Sequence, residues 1–187
     1  MEMRRYAAAG IGVNGGSAGG DRMDEKLKLD RIDLKILTTL QDEARISNHD
    51  LAERVGLSPS SCLQRVRKLE SRGVLDGYRA RIDLDRICRS VTVIATATLA
   101  NHDQKSFSRF EQAVADIPEV VECLKVSGTF DYILRFVCAD MAQYHALSER
   151  LLDIGRGVAQ LSSHVVLAST KQAGGYPLDH LLQGASE

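Results

Sequence analysis

The residues best suited to bind another molecule lie between Pro59 and Arg72. This segment carries four basic side chains against one acidic side chain, a net charge of +3. Small hydroxyls at its start allow close approach to DNA, and glutamine and arginine can hydrogen-bond to base edges in the major groove. Lysine and arginine farther along suit phosphate contacts. We therefore predict that DNA is bound by Asn48, Ser58, Ser60, Ser61, Gln64, Arg65, Arg67, Lys68, Arg72, Arg79 and Arg81.

Three short helices must present this polar face to the outside. The third helix buries Cys62, Val66 and Leu69, which recur at i, i+4 and i+7. Residues suited to cap helices occur at the expected helix ends of this segment. The predicted caps and first-turn residues are Asp30, Ser47, Gly56, Ser58 and Pro59. Two helices joined by a short turn that contains glycine predict a helix-turn-helix.

A wing is predicted after the third helix. Residues 74–82 have β-prone flanks around Asp76-Gly77, a dipeptide that favours a tight hairpin turn. Arg79 and Arg81 would extend the basic surface from this hairpin.

The pattern changes from helical to alternating at Val91, which predicts a second module. Apolar residues alternate with threonine through Leu99, as in a strand with one buried face. The later elements are a helix over 106–116, strands over 120–126 and 132–137, a helix after Asp140 and a strand over 162–170. The order β-α-β-β-α-β predicts a ferredoxin-like domain. The predicted fold class is α+β, with an N-terminal winged helix-turn-helix and this C-terminal domain.

Composition sets the predicted boundaries. We expect a disordered Gly-rich tail over 1–28, the winged helix-turn-helix over 29–82, a linker over 83–90, the βαββαβ domain over 91–172 and a tail over 173–187. Net charge is +2 over 29–90 and −4 over 91–187, which suggests different partners for the two modules. Met23 is an alternative start to Met1, and the first apolar run is a weak signal for export. We expect a cytoplasmic location.

Several function classes lack their residues. Four cysteines and five histidines occur without the spacing of a zinc site, and buried free thiols are expected rather than disulfides. No nucleophile–base arrangement or phosphate-binding loop is visible in the sequence. The longest apolar run, Val91–Ala100, is half the length of a membrane span. We therefore predict no catalytic residues, no metal, no cofactor and no membrane partner.

The motifs resemble those of the Lrp/AsnC family of regulators. The resemblance covers about residues 29–172 and rests on Leu29–Asp33, Arg45–Asn48, Leu51–Pro59, Cys62–Glu70, Gly73–Tyr78 and Val126–Tyr132. It implies a winged-helix DNA reader joined to a dimerising effector domain. It also implies homodimers, often assembled into octamers, and an amino acid or related metabolite as effector. Because each reader of a two-fold dimer would contact one half-site, we expect inverted-repeat promoter sites.

An effector loop is predicted at residues 127–131. Glycine at position 128 can expose backbone N–H groups to a carboxylate, and the Asp131 carboxylate can accept from an α-ammonium. The alternative is that Asp131 only satisfies its own turn. The predicted effector-binding residues are Ser127, Gly128, Thr129, Phe130, Asp131 and Ser163. Many relatives carry two threonines at the start of the last strand, where this chain has Leu161 and Ser163.

Two other functions compete with regulation. Siroheme decarboxylases resemble the same family in both modules, so an enzyme acting on a tetrapyrrole is one alternative. A chromatin-like architectural protein with little sequence preference is the other. The basic face of the third helix favours a regulator over the enzyme. Binding to random and to promoter DNA, compared at stated salt, distinguishes specific regulation from the architectural role.

Overall fold

The computed structural model describes residues 28–153, 157–171 and 174–183. They fall into two compact units: one ends at Arg81 and resumes at Thr170, and the other spans Ile82–Ser169. The predicted Gly-rich tail lies outside the described residues, except for its last residue.

The first unit contains the three predicted helices. They are α1 (Arg31–Asp42), α2 (Asn48–Val55) and α3 (Pro59–Ser71). The Asp30 carboxylate accepts from the N–H groups of Ile32 and Asp33, which begins α1. Left-handed Gly56, with φ of +74°, ends α2, as only a residue without Cβ does easily. The caps predicted at Ser47 and Ser58 are also present.

One apolar cluster holds the three helices together. Cys62 and Leu69 of α3 are buried against α1 and α2, and Val66 is half-buried beside them. The other buried members are Ile36, Leu37, Leu40, Leu51, Ala52 and Val55. The i, i+4, i+7 spacing therefore buries the apolar face of α3 and leaves its polar face outward, as predicted.

The predicted hairpin over 74–82 does not form strands. This part of the chain has no regular secondary structure, and a 3₁₀ turn follows at Leu84–Arg86. Gly77 has φ of +134°, but Tyr78 and Ile82 are exposed. A two-stranded hairpin is marginal in water without a surface to pack on, which accounts for the difference.

The second unit is a four-stranded antiparallel sheet in the order β2-β3-β1-β4. Its elements are β1 (Val91–Leu99), α4 (Gln104–Ala115), β2 (Val120–Lys125), β3 (Tyr132–Cys138), α5 (Met141–Asp153) and β4 (Val158–Val165). The order of elements and strands confirms the predicted ferredoxin-like βαββαβ domain.

The two helices contribute to a core on one face of the sheet. Alternate residues of β1 and β3 are fully buried there, with Phe110 of α4 and Tyr144 and Leu151 of α5. The intervening residues point to the opposite face and are mostly half-exposed. This open face carries Thr92, Ile94, Thr96, Thr98, Leu124, Ile133, Val137, Ser162 and His164, and also Arg135, which lies opposite Ile94 and is paired with Glu122.

The last strand begins four residues earlier than the predicted 162–170. Val158 pairs with Leu99 and Leu161 with Ala97, so β4 starts where its apolar residues reach the core. It ends at Val165, which pairs with Val93, because β1 has only two residues left to pair. A short helix, α6 (Leu178–Gln183), follows within the predicted C-terminal tail.

The four cysteines are free. Two of them are exposed, although we expected buried thiols. Cys62 and Cys138 lie in the two cores, whereas Cys88 and Cys123 are exposed. Cys88 follows the 3₁₀ turn, and Cys123 lies on β2, which has a neighbour on one side only. Apolar sequence neighbours did not reveal that β2 is an edge strand.

Candidate DNA-binding and effector sites

The outer face of α3 presents four side chains that are exposed and unengaged. Gln64, Arg67, Lys68 and Arg72 make no hydrogen bond or ion pair with the rest of the described chain. Their hydrogen-bonding groups are therefore directed to solvent and open to an incoming partner. Three cations beside one amide suit a duplex, in which phosphates need charge and base edges need donors and acceptors.

The polar residues at the start of α3 are already bonded to each other. The Ser58 hydroxyl accepts from the N–H of Ser61, and the hydroxyls of Ser60 and Ser61 lie 3.2 and 2.9 Å from it. The Asn48 amide donates to the carbonyl of Pro59 over 2.8 Å. These four residues fix the junction between α2 and α3, and the three serines are exposed at its surface.

Arg65 differs from the other cations of α3 because it is tied to α1. Its Nη1 lies 2.6 Å from Asp30 Oδ2 and 2.7 Å from Asp33 Oδ1. The two carboxylates raise the pKa of the Arg65 guanidinium by hydrogen bonding to it. The pKa of Asp30 is lowered, chiefly by the N–H of Asp33 and then by Arg65. Arg65 thus links α3 to the first turn of α1. The sequence did not indicate this contact, because Asp30 was predicted only as a helix cap and Asp33 entered only as part of a motif.

The two arginines of the predicted wing lie on a segment without regular secondary structure. Both are exposed, and Arg79 Nη2 is 3.6 Å from the carboxylate of Asp76. Surface ion pairs of this kind hold a side chain weakly. Arg79 and Arg81 therefore remain accessible without a strand to orient them.

The predicted effector loop joins β2 to β3. Ser127, Gly128 and Thr129 are exposed, and Phe130 is half-buried. Gly128 has φ of +137°, a conformation that disfavours other residues although a Cβ would meet nothing within 4 Å. No backbone N–H of residues 127–130 is donated to the described part of the chain. These N–H groups are available to an anionic ligand such as a carboxylate.

The side chain of Asp131 is bonded to the end of β1 rather than within its own turn, which the Asp131 carbonyl closes by accepting from the N–H of Val126. Its Oδ2 accepts from the N–H of Leu99 over 2.8 Å, and its Oδ1 lies 3.1 Å from Nε2 of His102. Its backbone N–H donates to the carbonyl of Ala97. The side chain is 16% exposed. A carboxylate has about four acceptor positions, so capacity remains for a ligand ammonium.

Tyr132, the residue after Asp131, holds the start of β3 against α4. Its hydroxyl donates to Glu111 over 2.7 Å, and its ring centroid lies 4.6 Å from that of Phe110. Burial, and then the hydrogen bond to Glu111, raise the pKa of Tyr132, so it stays a neutral donor. The loop therefore ends at a residue that is packed and hydrogen-bonded against α4.

Ser163 lies on the other side of β1 from the loop. It pairs with Ala95, whereas the loop contacts β1 at Ala97 and Leu99, on the side of β3. The Ser163 hydroxyl is hydrogen-bonded to that of Tyr144 on α5. The structure thus brings residues 127–131 together and places Ser163 apart from them.

The sequence analysis overlooked residues at this end of the sheet. His102 was treated only as one of five scattered histidines, although it lies beside Asp131. A cavity of about 70 Å³ lies near the end of β1. It is lined by Leu99, Asn101, Ser106, Arg109, Phe110, Gly157 and Val158. Only the pairing of β1 with β4 brings Arg109 near Gly157, so no local motif could have indicated it.

A second overlooked grouping lies on α2. Ligand atoms of His49, Asp50 and Glu53 lie within 4.8 Å of one another, and all three residues are exposed. Asp50 accepts from the Ser47 hydroxyl as part of the helix start. The grouping is explained by capping and helical spacing.

Comparison with known proteins matches both units. A model of the winged helix-turn-helix DNA-binding domain matches residues 29–76, and one of the Lrp/AsnC ligand binding domain matches residues 92–176. The Bkd operon transcriptional regulator of Pseudomonas aeruginosa is 40% identical over 151 residues, 81% of this chain and 99% of that protein. The leucine-responsive regulatory protein of Haemophilus influenzae is 42% identical over 77% of this chain and 87% of its own.

Solved structures agree with these matches. An AsnC family transcriptional regulator from Agrobacterium tumefaciens has a TM-score of 0.75 and 35% identity over 82% of this chain and 99% of its own. A transcriptional regulator from Neisseria meningitidis, solved as an L-Met complex, has a TM-score of 0.76 and 32% identity over the same shares. Among the described residues, no helix has both the length and the apolar character needed to cross a membrane.

Proposed function

Because the chain belongs to the Lrp/AsnC family of transcriptional regulators, we propose that α3 reads double-stranded DNA and that an amino acid bound at residues 127–131 modulates this reading. The observation that carries the first part is the set of four unengaged side chains on α3. Gln64 supplies a base-reading amide, and Arg67, Lys68 and Arg72 supply charge for bases or phosphates.

The other predicted DNA-binding residues are proposed either to position α3 or to attract DNA by their charge. Asn48, Ser58, Ser60 and Ser61 set the angle between α2 and α3 through their own hydrogen bonds, with the serine hydroxyls close enough to the surface to meet a backbone phosphate. Arg65 positions α3 on α1. Arg79 and Arg81 add to the positive field that attracts DNA.

The effector role of residues 127–131 is supported by complementary groups. Free N–H groups of the loop suit the α-carboxylate of an amino acid, and the remaining acceptor capacity of Asp131 suits its ammonium. The names of the relatives point to the same class, since one is leucine-responsive and another was solved with L-Met. Ser163 contributes indirectly, by fixing Tyr144 and α5 behind the sheet.

Two copies of the chain would complete the regulator. The half-exposed open face of the sheet offers isoleucines and valines to a two-fold partner, and further association of dimers gives the octamer. A dimer places two copies of α3 on the half-sites of an inverted repeat. The proposed place of action is the cytoplasm, where the DNA is.

The test measures binding to a promoter fragment and to random DNA at stated salt, with and without L-methionine and L-leucine. We expect preference for the promoter and a change in affinity equivalent to about 1–3 kcal/mol when the effective amino acid is present. Asp131→Asn keeps an acceptor for Leu99 but removes the charge, so the amino acid should lose its influence while affinity without it stays near wild type.

Lys68→Ala is the matched control for this experiment. It should weaken binding to DNA but leave the ratio of affinities with and without the amino acid unchanged. Equal binding to promoter and random DNA would indicate an architectural protein, and a response of Asp131→Asn equal to that of wild type would contradict the loop assignment. A tetrapyrrole absorption band in the purified protein would instead support the enzyme alternative.

A further inference from the structure

The chain returns to the helix-turn-helix unit after the last strand. β4 ends at Val165 in the ligand-binding unit, whereas the described residues from Thr170 onward group with α1, α2 and α3. Residues 174–183, named here the strap, lie against α1 and contain α6. The match to the ligand-binding domain ends at residue 176, so α6 lies beyond it.

A side-chain amide clamps the backbone of the strap. Gln41 Oε1 accepts from the N–H of Tyr176 over 2.6 Å, and Gln41 Nε2 donates to the carbonyl of the same residue over 3.2 Å. The two bonds reproduce the pairing that a neighbouring β-strand would offer. The Tyr176 side chain is 76% exposed, so only its backbone is engaged.

Glycine at position 175 permits this close approach. A Cβ there would lie 2.9 Å from Cδ and 3.0 Å from Cβ of Gln41, which is closer than real Cβ contacts. At Gly174, one residue earlier, a Cβ would meet nothing within 4 Å. Of these two glycines, only Gly175 lies where a side chain would collide with Gln41.

The strap also joins the apolar cluster of the helix-turn-helix unit. Leu178 packs against that cluster, which contains Ile36, Leu37 and Leu40 of α1. The carbonyl of Pro177 accepts from the N–H groups of His180 and Leu181, which turns the chain so that Leu178 faces α1. Polar and apolar contacts thus hold the strap at the same helix.

We propose that the strap is a working part of the DNA-binding unit: it stabilises α1, the helix on which Arg65 fixes α3, and gives the ligand-binding unit a second covalent link to the reader. The first link is the connector after Arg81, and the second runs from β4 to the strap. The effect on DNA affinity rests on the proposed function, whereas the effect on α1 does not.

The experiment uses full-length chains and compares Gly175→Ala with Gly174→Ala. Hydrogen exchange is measured over residues 31–42, and affinity for the promoter fragment is measured in parallel. We expect Gly175→Ala to speed exchange of α1 roughly five- to thirty-fold, because two hydrogen bonds are lost or strained. DNA affinity should fall for all sequences alike. Gly174→Ala and Tyr176→Ala should match wild type.

Gln41→Ala provides a double-mutant cycle. It removes the clamp and two of the three atoms that a Cβ at position 175 would strike, Cδ and Nε2, but keeps the Gln41 Cβ at 3.0 Å. Gly175→Ala should therefore have a smaller effect in its presence than in wild type. A chain ended after Thr170 should show at least the exchange of Gly175→Ala. Exchange of α1 at the wild-type rate in both Gly175→Ala and the shortened chain would overturn the strap. If wild type fails to bind DNA, the proposed function fails, and the exchange data still decide the inference.

Discussion

At the scale of single residues, the polar side chains of α3 differ in whether they already bind another part of the chain. Gln64, Arg67, Lys68 and Arg72 are unengaged within the described chain, whereas Arg65 is held by two carboxylates. Spacing along the helix placed all five on the outward side. Only the positions of Asp30 and Asp33 distinguish Arg65 from the four residues proposed to read DNA.

This division predicts different outcomes for neighbouring substitutions. Gln64→Ala should lose roughly 1–3 kcal/mol on the preferred sequence and relax base preference at one position. Lys68→Ala should weaken binding to all sequences and reduce the salt slope by about 1. Affinities for a panel of single-base variants across a salt series measure both effects. Identical behaviour of the two variants would contradict the assignment of Gln64 to a base edge.

At the scale of elements, α1 and α3 are joined by the ion pairs between Arg65 and the first turn of α1. The pKa of Asp30 lies below its ordinary value of 3.8 because the N–H of Asp33 and the Arg65 guanidinium favour the carboxylate. A carboxyl group whose pKa is lowered by folding stabilises the fold above its unfolded value and loses that stabilisation as pH falls through the folded value.

We therefore expect the link between α1 and α3 to weaken below pH 3.8. At neutral pH the melting temperature of wild type should exceed that of Asp30→Asn. The difference between the two melting temperatures should shrink as the pH falls below 3.8. Thermal melting followed over a pH series measures this. Asp85→Asn is the control, because it removes a carboxylate that makes no ion pair within the described chain. Its melting temperature should change with pH in the same way as that of wild type. A constant difference between wild type and Asp30→Asn would argue against the charged contact.

At the scale of the whole molecule, the open face of the sheet is the surface that a second copy would cover. Ile94, Ile133 and Val137 lie on this face and are half-exposed in the single chain. Isologous pairing of such a face removes apolar surface from water on both copies. The proposed dimer therefore rests on the same residues that alternate with the core residues of β1 and β3.

Ile133→Asp should dissociate the dimer, because it puts a carboxylate between Thr96 and Leu124 on this face. Sedimentation at micromolar concentration should give at least twice the chain mass of 20.5 kDa for wild type and a smaller species for the variant. Ser108→Asp, which adds the same charge on exposed α4, is the control and should sediment as wild type. A wild-type monomer at this concentration would disprove the dimer.

The sequence determined the elements whose signals are local. Ser58 followed by Pro59 sets the start of α3, Gly56 ends α2, and alternation in β1 identifies its buried face. Each of these features depends on residues a few positions apart, which a linear pattern records. The order of elements then restricted the second unit to one known topology, and the shared motifs pointed to the family.

Only the tertiary structure decided which side chains already form hydrogen bonds or ion pairs and where the pairing of β4 with β1 ends. Asp30 and Arg65 are 35 positions apart, and Gln41 and Tyr176 are 135 apart, so no local pattern links them. The extent of β4 follows from the length of β1, and the absence of wing strands follows from the lack of a surface to support them. Contacts between distant residues depend on how the chain folds back, and this is why the strap was invisible in the sequence.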